Sequence, residues 1–224
     1  MPHTAALIAL TPRHAVAGST SALQACVIGV RVEDSAPELE VIGHGHPARA
    51  SIERYIAGCF LRTYGAVISH FADTLLGVRG PDGEWQAALG YSLPASRPEV
   101  FVEQYLDQPL EQALSQVLRE PVSRGALAEV GNMAATSAGM GRALIALATR
   151  HLYARGLDYV VFTATRALAN SFVRLGIPIF SVAPADPARL RDGETAWGSY
   201  YRNTPTVMVG RIASGLHTVG VEAA

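Results

Sequence analysis

The sequence predicts an α/β protein, a mixed central sheet flanked by helices, on three observations. Residues 129–147 pass from an apolar strand through a glycine-bearing turn into the first turns of an apolar-striped helix. A continuous apolar run at 159–162 follows that helix and reads as a strand covered on both faces, hence parallel to its predecessor across a right-handed crossover. Gly80-Pro81-Asp82-Gly83 joins two further apolar runs by strong turn chemistry, which predicts an antiparallel hairpin and makes the sheet mixed.

Composition bounds the rest. With 224 residues, 49% of them hydrophobic and 17% charged, the chain can bury a sizeable core. We read residues 1–24, which lack a period, as a partly irregular N-terminal extension attached loosely or by a short local element, and 25–224 as one domain. A net charge of −1 argues against a general nucleic-acid binder. All 18 basic residues are arginine, which excludes lysine Schiff-base and phosphate-loop lysine chemistry. Two cysteines, Cys26 and Cys59, are too few for a disulfide scaffold. No run approaches the roughly 18 apolar residues of a membrane span, and no export signal stands at the N-terminus. A cytoplasmic protein is the expectation.

In chain order, Cys26–Val32 reads as a strand and Leu39–Ile42 as a short one. His44 and His46 flank Gly45 in a turn, and with no third ligand nearby we assign no metal. Ser51 is placed to cap a helix to Tyr64 whose apolar face carries Ile52, Ile56, Cys59 and Phe60. The hairpin strands are Thr74–Arg79 and Trp85–Ser92. The next segment starts extended through Phe101 and Val102 and turns helical from Pro109, with Leu110, Leu114 and Leu118 on the buried stripe. Ala126–Ala134 is the strand of the crossover unit; its helix ends at Gly156 and its second strand is Tyr159–Phe162. Thr165 caps a helix to Leu175, and Ile179–Ala183 and Thr206–Ala213 close the sheet.

The turn at Ser137, Ala138, Gly139, Met140, Gly141 and Arg142 is a candidate anion site. A helix start leaves backbone N–H groups without partners and carries partial positive charge, glycine lets the ligand approach, and Arg142 adds a full charge. On spacing alone an ordinary strand-to-helix connection fits equally well.

Thr136-Ser137-Ala138-Gly139-Met140-Gly141-Arg142-Ala143-Leu144 resembles the pyrophosphate loop of the GNAT acyltransferase superfamily, and Ala169-Asn170-Ser171-Phe172-Val173-Arg174-Leu175-Gly176-Ile177 its later motif. Closer still is the thermostable haemolysin family, which five blocks resemble in order: Tyr64-Gly65-Ala66, Phe101 to Asp107, Glu129 to Ala134, Phe162 to Thr165 and Trp197 to Tyr201. The Glu129 strand is also similar to the central strand of acyl-homoserine lactone synthases, which transfer fatty acyl groups to an amine. The resemblance implies a GNAT-like fold and acyl-CoA, or the acyl-phosphopantetheine of an acyl carrier protein, as donor. It also implies a small-molecule amine as acceptor and a medium or long acyl chain. The donor arm would pair with the central strand at Gly131, Asn132 and Met133 and touch Asn170. Two positions depart from the superfamily pattern: Thr136 replaces Gln or Arg, and Phe172 replaces the tyrosine that protonates the leaving thiolate.

Acyl transfer to an amine needs a base, an oxyanion donor and an acyl groove. Glu129 is the first candidate base, since burial on the reacting strand would raise its pKa; a carboxylate bonded to nearby backbone is the structural alternative. Gly131 inside that strand predicts a bulge. Glu103, Tyr105 and Asp107, on an extended segment, would share one side and form a polar row for catalysis and acceptor binding, or a solvated face. Trp197 and Tyr200, with Tyr201, are placed in the core or the substrate-site wall, and His151 is packed. Two other readings stand beside acyl transfer: a protein that lyses membranes directly, and a non-catalytic acyl-CoA-binding module. The oligomeric state, a homodimer included, is not fixed by the sequence.

Overall fold

The structure is a computed structural model that describes residues 8–10, 37–191, 193 and 195–218. Cys26 and the strand expected at Cys26–Val32 lie outside the described residues. In chain order the elements are β1 (Ile8–Leu10), β2 (Glu40–Ile42), α1 (Arg49–Tyr64), β3 (Thr74–Arg79), β4 (Trp85–Ser92), α2 (Leu110–Leu118) and β5 (Leu127–Ala135). There follow α3 (Ala138–Ala154), β6 (Tyr159–Ala164), α4 (Arg166–Arg174), β7 (Ile179–Pro184), β8 (Thr206–Arg211) and α5 (Ile212–Thr218). The strands lie in the order β2-β3-β4-β5-β6-β8-β7, with β1 paired to β5. β5 and β6 are parallel, as the apolar run predicts, and so are β1 and β5; every other pair is antiparallel.

Each face of the sheet is covered. One side packs α1, α2 and the Phe101–Tyr105 segment, with Trp197 and Tyr200, against Leu127, Tyr159 and Val161. The other packs Leu144, Leu168, Phe172 and Ile212 of α3, α4 and α5 against Ala128, Met133 and Phe162. Alternation along β5 and β6 divides their side chains between these two layers.

Where the elements depart from the sequence reading, a tertiary contact sets the boundary. α1 begins two residues before Ser51, with Ala48 at the cap position and no side-chain cap. Buried Arg49 fixes this start by donating to the carbonyls of Ala72 at 2.7 Å and Asp73 at 3.0 Å. Ser51 instead accepts the Trp85 Nε1–H at 3.1 Å. The segment read as extended is a 3-10 helix over Phe101–Tyr105. β8 stops at Arg211, and Ile212 starts a helix rather than continuing the strand. Within the N-terminal extension the described residues Ile8–Leu10 form the short strand β1, which pairs with the central strand.

The last block of the sequence is held by one glycine. Gly198 has φ 56°, and a β-carbon there would stand 2.1 Å from the Tyr64 carbonyl oxygen, which accepts the Ser199 N–H at 2.8 Å. Gly198→Ala should therefore lower unfolding stability by about 1–3 kcal/mol, measured by urea denaturation. An unchanged midpoint would contradict this account.

Candidate active site

β5 and β6 pair only from Leu127–Val130 to Tyr159–Phe162, although β5 runs on to Ala135 and β6 to Ala164. Beyond Val130 they diverge, leaving a gap between two neighbouring strands. β4 covers one edge of β5 here, pairing Ala88 with Ala134 and Ala87 with Ala135. β1 pairs with Met133–Ala135 as well, so it lies on the opposite edge, facing the gap.

The bulge expected at Gly131 is present. Register passes from Gly90 opposite Gly131 to Ala88 opposite Ala134, two steps on β4 against three on β5. Asn132 takes the left-handed conformation, φ 53°, that the extra residue requires. Its fully buried side chain accepts the Ala72 N–H at 2.9 Å, which ties the bulge to the loop after α1. Gly90 makes room, since a β-carbon there would lie 2.6 Å from that of Ala72.

Beside the gap, α3 and α4 enclose a cleft of about 260 Å³. Met133, Gly141, Arg142 and Ile145 line one wall, and Ser171, Phe172 and Arg174 the other. Ser137 caps α3, accepting the Met140 N–H at 3.2 Å, so the turn is a true helix N-terminus with exposed Ala138 and Gly139 in its first turn. Thr136 does not face this cleft. Its hydroxyl donates to Gln86 Oε1 at 2.8 Å and its N–H to the Gln86 carbonyl at 2.9 Å, a strand-end anchor that accounts for the departure from Gln or Arg. Asn170 is exposed on α4 and is not among the cleft's lining residues. Arg174 and Ser171, which sequence reasoning missed, line it instead; the spacing of Leu168, Ser171, Phe172 and Leu175 along one helical face was the available signal. A second, apolar cavity of about 70 Å³ shares Met133, Ile145 and Phe172 with the cleft and continues past Leu152 and Phe162 to Ile212.

On the opposite face of the sheet, Glu129 is 3% exposed. Its carboxylate accepts the Phe101 N–H at 3.1 Å and the Val102 N–H at 2.7 Å. Burial raises its pKa to about 7, against the lowering effect of those two hydrogen bonds. Glu103 adds to the rise and Arg97 opposes it. Arg97 is itself paired with Asp73, donating Nε–H to Oδ2 at 2.8 Å.

Glu103, Tyr105 and Asp107 do not form a row, because the 3-10 helix sends them in three directions. Glu103 accepts from Arg124 at 2.7 and 2.9 Å and from the N–H groups of Val100 and Leu110. Burial pushes its pKa up, yet Arg124 and these bonds hold it below the usual value, so it is a structural hub and a poor base. Tyr105 is buried, 2.5 Å from the Tyr201 hydroxyl, and burial pushes its own hydroxyl far above the usual range. Asp107 is exposed and paired with Arg189 at 2.6 Å. Trp197 and Tyr200 are core. Trp197 packs on Phe101 at 5.8 Å between ring centres, and Tyr200 on Tyr64 edge to face at 5.3 Å. His151 is packed, 3.1 Å from the Tyr91 hydroxyl. Among the described residues no cluster of three or more His, Cys, Asp or Glu forms a metal site, and no helix is long and apolar enough to cross a membrane.

This architecture is shared with known enzymes. LasI, an acyl-homoserine lactone synthase, superposes with a TM-score of 0.58 at 11% identity over 84% of this chain and 98% of its own. BjaI, a coenzyme A-dependent acyl-homoserine lactone synthase solved with SAM and isopentyl-CoA, gives 0.54 at 13% identity over 84% and 91%. FeeM, an N-acyl amino acid synthase from uncultured soil microbes, gives 0.54 at 13% identity over 81% and 95%. No curated protein matches the chain. The thermostable hemolysin profile matches residues 42–216, from β2 into α5, and this chain belongs to that family.

Proposed function

We propose that this protein is an acyltransferase that moves an acyl group from the thioester of acyl-CoA or an acyl carrier protein to the amine of a small molecule. The observation that carries the reading is the cleft between α3 and α4, opening at the gap where β5 and β6 part. The chemistry of its walls suits a phosphopantetheine donor. The α3 N-terminus, with Arg142 and Arg174, offers backbone donors and two cations to phosphate. The apolar lining beyond Met133, Ile145 and Phe172 suits the first carbons of an acyl chain, and a medium or long chain widens this cavity of about 70 Å³ as it enters.

A donor held by its phosphate at residues 137–142 sends its arm along β5 from Ala135 toward Gly131. The bulge at Asn132 breaks the ladder where the thioester would lie. From the far side of the sheet Glu129, poised near neutrality, takes the proton that the attacking amine loses. Collapse of the tetrahedral adduct then releases the thiolate. Phe172, at the cleft wall, has no proton to give, so the released thiolate takes its proton from another donor. FeeM, named as an N-acyl amino acid synthase, favours an amine acceptor. The reading places the enzyme in the cytoplasm, where acyl-thioesters are made. In the structure β1 covers the edge of β5 that the arm would use, so the donor takes it by displacing Ile8–Leu10.

The test is to incubate pure protein with decanoyl-CoA and a panel of amines, following free thiol by Ellman colour and amide exchange at Ile8–Leu10 by mass spectrometry. Amine-dependent thiol release with faster exchange in β1 is expected. Donor binding without release on any amine would make the protein a binding module, and dye release from liposomes without a donor would favour direct lysis.

A further inference from the structure

Thr163 is the second-last residue of β6 and is 1% exposed, and among the described residues its hydroxyl has no hydrogen-bond partner. Buried hydroxyls in native proteins are as a rule satisfied, and one left without a partner destabilises the fold, so such a group calls for a reason. The chain solves the problem elsewhere. Thr149, on α3, donates to the Ile145 carbonyl one turn back at 2.7 Å. A threonine on a strand has no such local acceptor, because the carbonyls beside it serve the ladder.

The position of Thr163 supplies the reason. β6 makes its last pair with β5 at Phe162, so Thr163 is the first β6 residue beside the gap. Its own register partner is Val207, on the other side of β6. Alternation puts its side chain on the face of Val161, which pairs with Glu129, while Phe162 faces the α3 and α4 layer. Thr163 therefore stands where the gap opens onto the Glu129 face, two residues further along β6. Among the described residues the other two buried hydroxyls without a partner stand elsewhere: Thr63 on α1, and Tyr200 among aromatic rings.

We infer that Thr163 is a donor-contacting residue whose hydroxyl hydrogen-bonds a carbonyl oxygen of the acyl-pantetheine arm as the arm passes through the gap. The inference rests on the acyltransferase reading and adds to it a residue that holds the reacting group in register with Glu129. An arm carbonyl has acceptor capacity and no proton of its own, so the hydroxyl donates.

The experiment compares wild type, Thr163→Val and Thr163→Ser by isothermal titration with decanoyl-CoA and by thermal unfolding without ligand. The valine change removes the hydroxyl and is expected to weaken donor binding about tenfold, the worth of one hydrogen bond. Without ligand it should unfold at the same temperature as wild type or higher, since no bond is lost. The serine change keeps the donor and should bind within about threefold of wild type. Wild-type affinity in Thr163→Val overturns the inference, as does a ligand-free unfolding temperature several degrees lower, which would give the hydroxyl a partner inside the protein. Wild-type protein that binds no decanoyl-CoA overturns the acyltransferase reading itself, a distinct result.

Discussion

Replacing Glu129 with glutamine should lower kcat by about 100- to 10,000-fold, the usual contribution of a positioned general base. In the wild type the rate should rise with pH and level off above about 7, as the carboxyl raised by burial loses its proton. Stability should run the other way. The folded carboxyl holds its proton more tightly than the unfolded one, whose ordinary value is 4.5. Its contribution is therefore complete below about 4.5 and is lost as pH climbs through about 7. Glu129→Gln should remove that slope from urea unfolding measured across the same interval. The glutamine oxygen can accept only one of the two N–H groups comfortably, so the variant's fold is checked by circular dichroism alongside. A folded variant with wild-type kcat would reduce Glu129 to a clamp on the 3-10 helix.

Gly139→Glu should abolish donor binding while leaving the fold intact or slightly firmer. The position is open, since a β-carbon there would meet only Ser137 Oγ at 3.8 Å. A carboxylate in the first turn of a helix is favourable in itself, by about 0.3–1 kcal/mol. The same charge repels phosphate from the turn and competes for its N–H groups. Losing two charge-assisted hydrogen bonds weakens affinity on the order of a hundredfold or more. Thermal unfolding and titration together separate the two effects. Equal affinity in the variant would move the phosphate away from residues 137–142.

The parts of the fold that local chemistry dictates were readable. Gly80-Pro81-Asp82-Gly83 fixed the hairpin, and the apolar run at 159–162 fixed a strand parallel to β5. What could not be read was set from a distance. The 3-10 helix at Phe101–Tyr105 exists because the carboxylate of Glu129, 28 and 27 residues on, gathers the N–H groups of Phe101 and Val102. That one contact dissolved the polar row expected of Glu103, Tyr105 and Asp107. The start of α1 depends in the same way on carbonyls that Arg49 reaches across more than twenty residues. At the site, Gly131 announced the bulge, but the commitment of the Asn132 side chain to Ala72 had no sequence signal. Arg174 was hidden because a basic residue at the end of a helix is ordinarily a partner for the last carbonyls.

The central claim is that the cleft between α3 and α4 holds an acyl-thioester donor. Isothermal titration of decanoyl-CoA into the pure wild-type protein tests it most directly, with decanoyl-loaded acyl carrier protein as the second ligand. One donor per chain, with binding lost in Gly139→Glu, is the predicted result. Absence of binding to both donors, by a protein shown to be folded, would contradict the account.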